Sequence, residues 1–229
     1  MKNEKLIAIS LSPELLLTMD TEELKSLLGE DFARMKDYSQ NNPHHCYDLL
    51  EHTVKTVQSL ACSELDSDDT VRLRIAALFH DIGKPQVAFE KNGRTVFYNH
   101  ARESVGIARR ELEKSGIDTE ELNRILFYIE YHDAFISFRC ADDIKDKSNS
   151  WLIPIEKNTV EKKISSIQNT CKKNGSFIPT HKDFALLMKL CIADAAAQSE
   201  QVIQNGSVID SRSSKINRVK NILKLIEMT

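Results

Sequence analysis

Paired cysteines are the first thing this chain lacks. Cys46, Cys62, Cys140, Cys171 and Cys191 are odd in number and none stands in a Cys-x-x-Cys spacing, which gives no support to a disulfide framework or to a thiolate zinc site. They read as reduced thiols, with Cys191 on an apolar face as a core residue. A basic block is missing too: 31 Lys+Arg stand against 34 Asp+Glu for a formal charge of −3, which disfavours strong, sequence-independent nucleic-acid binding. There is no long hydrophobic run. The apolar stretch from Leu6 to Leu11 is too short to span a bilayer and lacks the layout of a signal peptide, so no membrane partner and a cytoplasmic location are expected. No internal repeat or low-complexity tract is visible.

What is there is ordinary for a globular chain. At 229 residues, 41% hydrophobic and 28% charged, it is long enough for one sizeable core or two small ones, and one domain is expected. Start signals at Ser12-Pro13-Glu14, at Asp20 with Glu23 and at Asp118 with Glu121 open helices. Apolar residues then recur at helical spacing, as in Leu50, Val54, Val57 and Ala61, or Val160, Ile164, Ile167 and Cys171, or Ile216, Val219, Leu223 and Ile226. The predicted fold class is all-α.

One segment breaks the pattern. Asn92-Gly93 lies between two β-prone runs, which predicts a single small β-hairpin at about residues 87–98, because both turn residues must take positive φ. The stretches Phe135 to Pro154 and Ser199 to Ser214 are polar and without helical period, and read as loops, the first a lid and the second a connector. The expected organisation is a helical extension at 1–29, a core at 30–200, and a connector with a terminal helix at 201–229.

Chemistry enters with "ALFHDIGKP", Ala77 to Pro85. An apolar run carries His80 and Asp81 to a helix end, and a buried carboxylate beside an imidazole is costly unless something pairs with both. A divalent cation would. So would a plain Asp–His hydrogen bond closing the helix before Gly83. His132 continues the apolar face of Leu122, Ile125 and Ile129, and Asp194 that of Leu187, Leu190 and Cys191. Singly, each has a bland reading, a core histidine satisfied by a carbonyl or an aspartate capping a neighbouring helix. With His52 and His100 they form one candidate metal set, His52, His80, Asp81, His100, His132 and Asp194. These nitrogen and oxygen donors suit Mn, Fe, Co, Ni, Mg or Zn ions, and the absence of cysteine points away from a closed structural zinc site.

The order H…HD…D resembles the HD superfamily of metal-dependent phosphohydrolases. In particular "NNPHHCYDLLEHTVKTV", "LFHDIGKP", "VFYNHARESVGIA", "YIEYHD" and "LCIADAAAQ" are similar to the HD domain attached to bacterial CCA-adding tRNA nucleotidyltransferases, over about residues 30–200. A Gly-Gly or Gly-Ser turn leading into a D-x-D strand, which a nucleotidyltransferase head requires, does not occur, so polymerisation by these residues alone is not expected. The resemblance implies an HD-domain helical bundle that hydrolyses phosphate esters. It implies that His52, His80, Asp81 and Asp194 hold one ion and that His100 and His132 help to hold a second where two are bound.

On that reading Asp81 bridges, since a carboxylate has an oxygen for each ion, and a water made acidic by the cation is the nucleophile. Lys84, just past Gly83, brings its ammonium to a phosphate oxygen or else is an exposed lysine at a helix end. Arg94 and Arg102 flank the hairpin and are candidate substrate contacts. Asp48, four residues before His52, is a candidate to orient that histidine or a solvated helix charge. His44 and His45 are left outside the set. The expected substrate is a nucleotide or small phosphorylated molecule, with one or two divalent ions as cofactor. The alternatives are an RNA-associated module acting on tRNA ends, disfavoured by net acidity, and a ligand-sensing domain without catalysis.

Overall fold

The computed structural model of the chain describes residues 2–63, 65–140, 144, 151–204 and 207–228. In chain order the elements are α1 (Lys2–Leu11), α2 (Leu15–Thr18), α3 (Thr21–Leu28), α4 (Glu30–Ala33), α5 (Leu49–Gln58), α6 (Ser67–Phe79) and α7 (Lys84–Val87). There follow β1 (Phe89–Lys91), β2 (Arg94–Val96), α8 (His100–Glu113), α9 (Thr119–Tyr131), β3 (Phe138–Arg139) and β4 (Ile153–Pro154). The chain continues through α10 (Lys157–Lys173), α11 (His181–Ala196), β5 (Gln201–Gln204), β6 (Ser207–Asp210) and α12 (Ser211–Glu227). The fold is helical, and among the described residues the sheets are two-stranded. Among the described residues no helix is long and apolar enough to cross a membrane.

Short polar side chains start the helices that matter for the site. Asp48, Asp66, Asp118, Thr180 and Asp210 each accept a backbone N–H from the first turn of α5, α6, α9, α11 and α12, satisfying donors that a helix start would otherwise leave open. Asp20 and Glu23 close a reciprocal capping box on α3. The Ser12-Pro13-Glu14 signal yields only the four residues of α2, whose Glu14 makes no side-chain cap.

Helices α5, α6, α9 and α11 pack on one another, α8 lies along α9, α12 covers α11, and α1 rests on α6. Leu50, Val54, Leu78, Phe79, Ile125, Tyr128, Phe184 and Leu187 are buried between them. Removing each such side chain from water contributes roughly 1.5–3 kcal/mol. Two polar pairs cross the core. The Tyr128 hydroxyl donates to Asp183 Oδ1 at 3.0 Å, and Arg72 on α6 forks onto Glu121 on α9 at 2.7 and 2.8 Å.

The hairpin at the Asn-Gly signal is present, with Asn92 at φ 54° and Gly93 at φ 72°. Val87 closes α7 instead of opening a strand, so pairing begins at Phe89↔Val96. The expectation of one hairpin is corrected. The stretch read as a polar connector contains β5 and β6, paired Val202↔Ile209 and Ile203↔Val208, with Val202 buried and Ile203 exposed. Its sequence carries the same signal, Asn205-Gly206 between β-branched residues. Within 135–154, β3 and β4 pair in parallel and Phe135 and Phe138 are buried. Residues 141–143 and 145–150 of the expected lid lie outside the described residues.

The break after the His-Asp doublet has its own cause. Gly83 has an ordinary φ of −81°, so it is not there to permit a left-handed turn. A Cβ added at Gly83 would stand 2.5 Å from Ser104 N and 2.8 Å from His100 O. The turn is pressed against the first turn of α8, and Gly83 N–H donates to Ser104 Oγ at 2.9 Å. Gly83→Ala is therefore expected to lower the unfolding free energy by about 1–3 kcal/mol. Gly106→Ala on the same helix, where an added Cβ meets nothing within 4 Å, is expected to raise it by roughly 0.5–1 kcal/mol. Denaturant midpoints of the two variants check the opposite signs.

Candidate metal centre

The six donors read from the sequence come from five helices and one turn. His52 sits inside α5, His80 caps the C-terminus of α6, and Asp81 lies in the turn that follows. His100 is the first residue of α8, His132 caps α9, and Asp194 lies near the end of α11. For His80 and His132, placement at a helix C-terminus leaves a carbonyl of the last turn open to the imidazole. The Nδ1 atoms of His80, His100 and His132 meet the carbonyls of Ala77, Phe97 and Ile129, three residues back, at 2.8, 2.8 and 2.7 Å. His52 Nδ1 meets Ala197 O across the bundle at 3.2 Å. A carbonyl only accepts, so each Nδ1 carries a proton, and each Nε2 turns a lone pair toward the centre when its imidazole is neutral, as a cation requires.

Those Nε2 atoms converge on the carboxylates. His52 and His80 approach Asp81 Oδ2 at 3.4 and 3.2 Å and Asp194 Oδ1 at 3.1 and 3.7 Å. His100 and His132 approach Asp81 Oδ1 at 3.2 and 3.6 Å and each other, Nε2 to Nε2, at 3.1 Å. The donors fall into two groups, His52, His80, Asp81 and Asp194, and Asp81, His100 and His132, within each of which the ligand atoms lie within 4.8 Å of one another. Asp81 belongs to both through its two oxygens.

This donor set fits a cation. The Nε2 atoms of His52 and His80 are buried without a hydrogen-bond partner, and lone pairs facing carboxylates in a water-poor space are costly unless positive charge lies between them. The electrostatics say the same. Without a cation, protons on the imidazoles supply that charge: burial pushes the Asp81 carboxyl up, yet the His80 and Lys84 charges and Nε2–H hydrogen bonds from His100 and His132 hold it well below the usual carboxylate range. Asp194 is held low against burial by His52 and His80. Burial pulls His80 down, but Asp81 and Asp194 raise it to about 10. The pocket is built to hold positive charge among nitrogen and oxygen donors.

The remaining expectations divide. Lys84 is buried, with Nζ 2.6 Å from Asp81 Oδ2 and 2.8 Å from Gln40 Oε1, so it is a partner of the central carboxylate and not an exposed helix-end charge. It also lines a cavity of 910 Å³ that opens on Asp81, His100, His132 and Asp194, and Arg94 stands on the same wall. Arg102 does not. It is exposed and acts on Glu130. Asp48 is likewise corrected, because its carboxylate caps α5 through Glu51 N at 2.8 Å and the atom that orients His52 is the Ala197 carbonyl.

Several cavity residues escaped the sequence reading. Asp133 lies 3.4 Å from His100 Nε2, and its signal was a second His-Asp doublet, His132-Asp133. His45 packs edge-on against His52 with ring centroids 5.0 Å apart. Burial pushes His44 down to about 4, assisted by the Lys215 and Arg94 charges. Gln198 and Lys215, which line the cavity, and Gln40, which holds Lys84 from behind it, had no signal in one sequence.

Comparison with known proteins adds two findings. Residues 49–151 match the family model of the HD domain. The A-adding tRNA nucleotidyltransferase of Deinococcus radiodurans is 27% identical over 135 residues, and the CC-adding tRNA nucleotidyltransferase of Thermus thermophilus is 31% identical over 134. Each match covers 56% of this chain but 30% of the relative, so the chain spans under a third of the length of these curated proteins.

Proposed function

We propose, from the premise that residues 49–151 match the family model of the HD domain, that this chain is a metal-dependent phosphohydrolase acting on a nucleotide or small phosphorylated substrate. The observation that carries the reading is the convergence of four Nε2 lone pairs and two carboxylates, each Nδ1 being fixed by a carbonyl. His52, His80, Asp81 and Asp194 would hold one divalent cation, and His100 and His132 with Asp81 a second. A cation bound there supplies Lewis acidity, which makes water a stronger acid near neutral pH and offsets charge on a phosphoryl oxygen.

The chain does the rest. Asp81 offers one oxygen to each ligand group and keeps its charge because Lys84 lies against it. Lys84 also brings positive charge to the cavity wall, where a phosphoryl group gains negative charge as it is transferred. Phe97, Tyr98 and Trp151 give that cavity apolar surface for the non-phosphate part of a substrate.

The reading is tested by metal analysis of the purified chain and a phosphate-release screen over monoesters, diesters and 2′,3′-cyclic phosphates with several divalent ions. Bound metal and hydrolysis that a chelator abolishes and added metal restores are expected. A chain that holds no ion and releases no phosphate would overturn it.

A further inference from the structure

The C-terminal helix reaches the site from outside both the matched HD domain and the region of sequence resemblance. Two contacts hold it there, His44 Nδ1 to Ser211 Oγ at 3.2 Å and the Arg212 guanidinium to Gln198 O at 2.6 and 2.9 Å, and the residue after Gln198 is itself tied to His44 by Ser199 N–H to His44 O at 2.9 Å. One turn along α12, the half-buried Lys215 lines the same cavity as Asp81 and Asp194. Its ammonium donates to Gln198 Oε1, and Gln198 Nε2 donates to both oxygens of Asp194, at 3.3 and 3.2 Å. The Gln198 amide can satisfy both neighbours in one orientation only, oxygen to the lysine and nitrogen to the carboxylate. Lys215 is therefore set beside the candidate ion site without being spent on its ligands.

Gln198 takes one of three N–H donors of this ammonium, and it is the hydrogen-bond partner of Lys215 among the described residues. Lys84, Arg94 and Lys215 all line this cavity, together with the candidate ligands Asp81 and Asp194 and with Asp133. Burial and then the Asp194 charge act most on Lys215, with Arg218, Asp133 and Lys84 acting on it in turn. Once cations occupy the ion site, the lysines and the arginine add to a positive lining. Like charges gathered in a concave, partly desolvated space are stabilised by an anion between them. Resting on the phosphohydrolase reading, we propose that Lys215, held by Gln198, is an anchor for the phosphoryl oxygens of the substrate and that α12 is part of the active site. The ligand it recognises is an oxyanion of phosphate type, and Lys215 sets affinity more than chemistry.

The test uses the full chain loaded with Mn²⁺, with inorganic phosphate as the calorimetric probe and p-nitrophenyl phosphate as the kinetic one. Lys215→Met is expected to weaken phosphate binding about 10- to 100-fold, to raise KM by a similar factor with a smaller fall in kcat, and to keep full metal content. Lys215→Arg is expected to restore binding to within about threefold, since charge and donors are kept. Lys215→Gln, which still bonds to Gln198, gives the same comparison where the Met variant does not fold.

Folded Met or Gln variants that bind phosphate within about twofold of the parent would overturn the anchor, as would a parent chain that binds no phosphate. Hydrolysis by the parent with KM unmoved in the variants would sink the anchor and leave the hydrolase standing. Lys215-dependent phosphate binding without hydrolysis of any ester would do the reverse.

Discussion

Asp81→Asn is expected to empty the site. The carboxylate at Asp81 is the one group shared by both sets of donors, with Oδ2 facing His52 and His80 and Oδ1 facing His100 and His132. Asparagine keeps the volume but has one acceptor oxygen, no charge, and an amide that presents N–H groups toward imidazole lone pairs or a cation. It also leaves the buried Lys84 ammonium with Gln40 alone of its two close partners, and an unpaired buried charge is expensive.

A cation contributes several kcal/mol to phosphoryl transfer, so losing it costs at least about 10³-fold in kcat/KM. Metal content by elemental analysis and phosphate release under saturating Mn²⁺ are the two measurements. His100→Ala reads the second set separately, and retention of one equivalent of metal is expected, because His52, His80, Asp81 and Asp194 are untouched. Wild-type metal content in the Asp81 variant would show that the ion, if any, sits elsewhere.

Adding a divalent cation should raise the thermal unfolding midpoint by roughly 5–10 °C. An ion that binds the folded chain alone at a concentration of 100 Kd stabilises it by about 2.7 kcal/mol, and a domain of this size gains about 2–4 °C per kcal/mol. The shift is expected because the donors come from α5, α6, α8, α9 and α11 and the turn after α6, so the ion adds one shared tie to helices that meet through apolar packing and a few hydrogen bonds. It should be reversed by chelator and absent in Asp194→Asn, which removes the α11 charge from the His52 and His80 pair. Equal midpoints with and without every ion tried would mean that the cluster is held by protons and hydrogen bonds alone.

Much of this was readable along the chain because the governing signals are local. Helical period, an Asp or Thr before an apolar run, and Asn-Gly between β-branched residues act over a few positions. His132 and Asp194 stood out for the same reason, a polar residue where the period demands an apolar one. Where the reading failed, the signal was present but outvoted or absent. Asn205-Gly206 stands among polar residues that blur the strand pattern, and Asp133 directly follows a histidine that already accounts for the inward face of α9. Asp48 satisfied the i to i+4 rule yet was claimed by the open N–H groups of its own helix start. Arg102 stood near the hairpin in sequence but points elsewhere in space.

By itself, the order of residues determined that the chain is helical, that a His-Asp doublet ends a buried helix, and which imidazoles and carboxylates stand on inward faces. Tertiary structure alone decided that Asp81 has a group of histidines at each oxygen, that Gly83 is there for close packing against α8, and that α12 delivers Lys215 to the same cavity. The division follows from range. Periodicity and capping are energies between neighbours in sequence, whereas shared ligands, close approaches and converging charges depend on where separate helices dock. That is set by the fit of all their apolar faces at once.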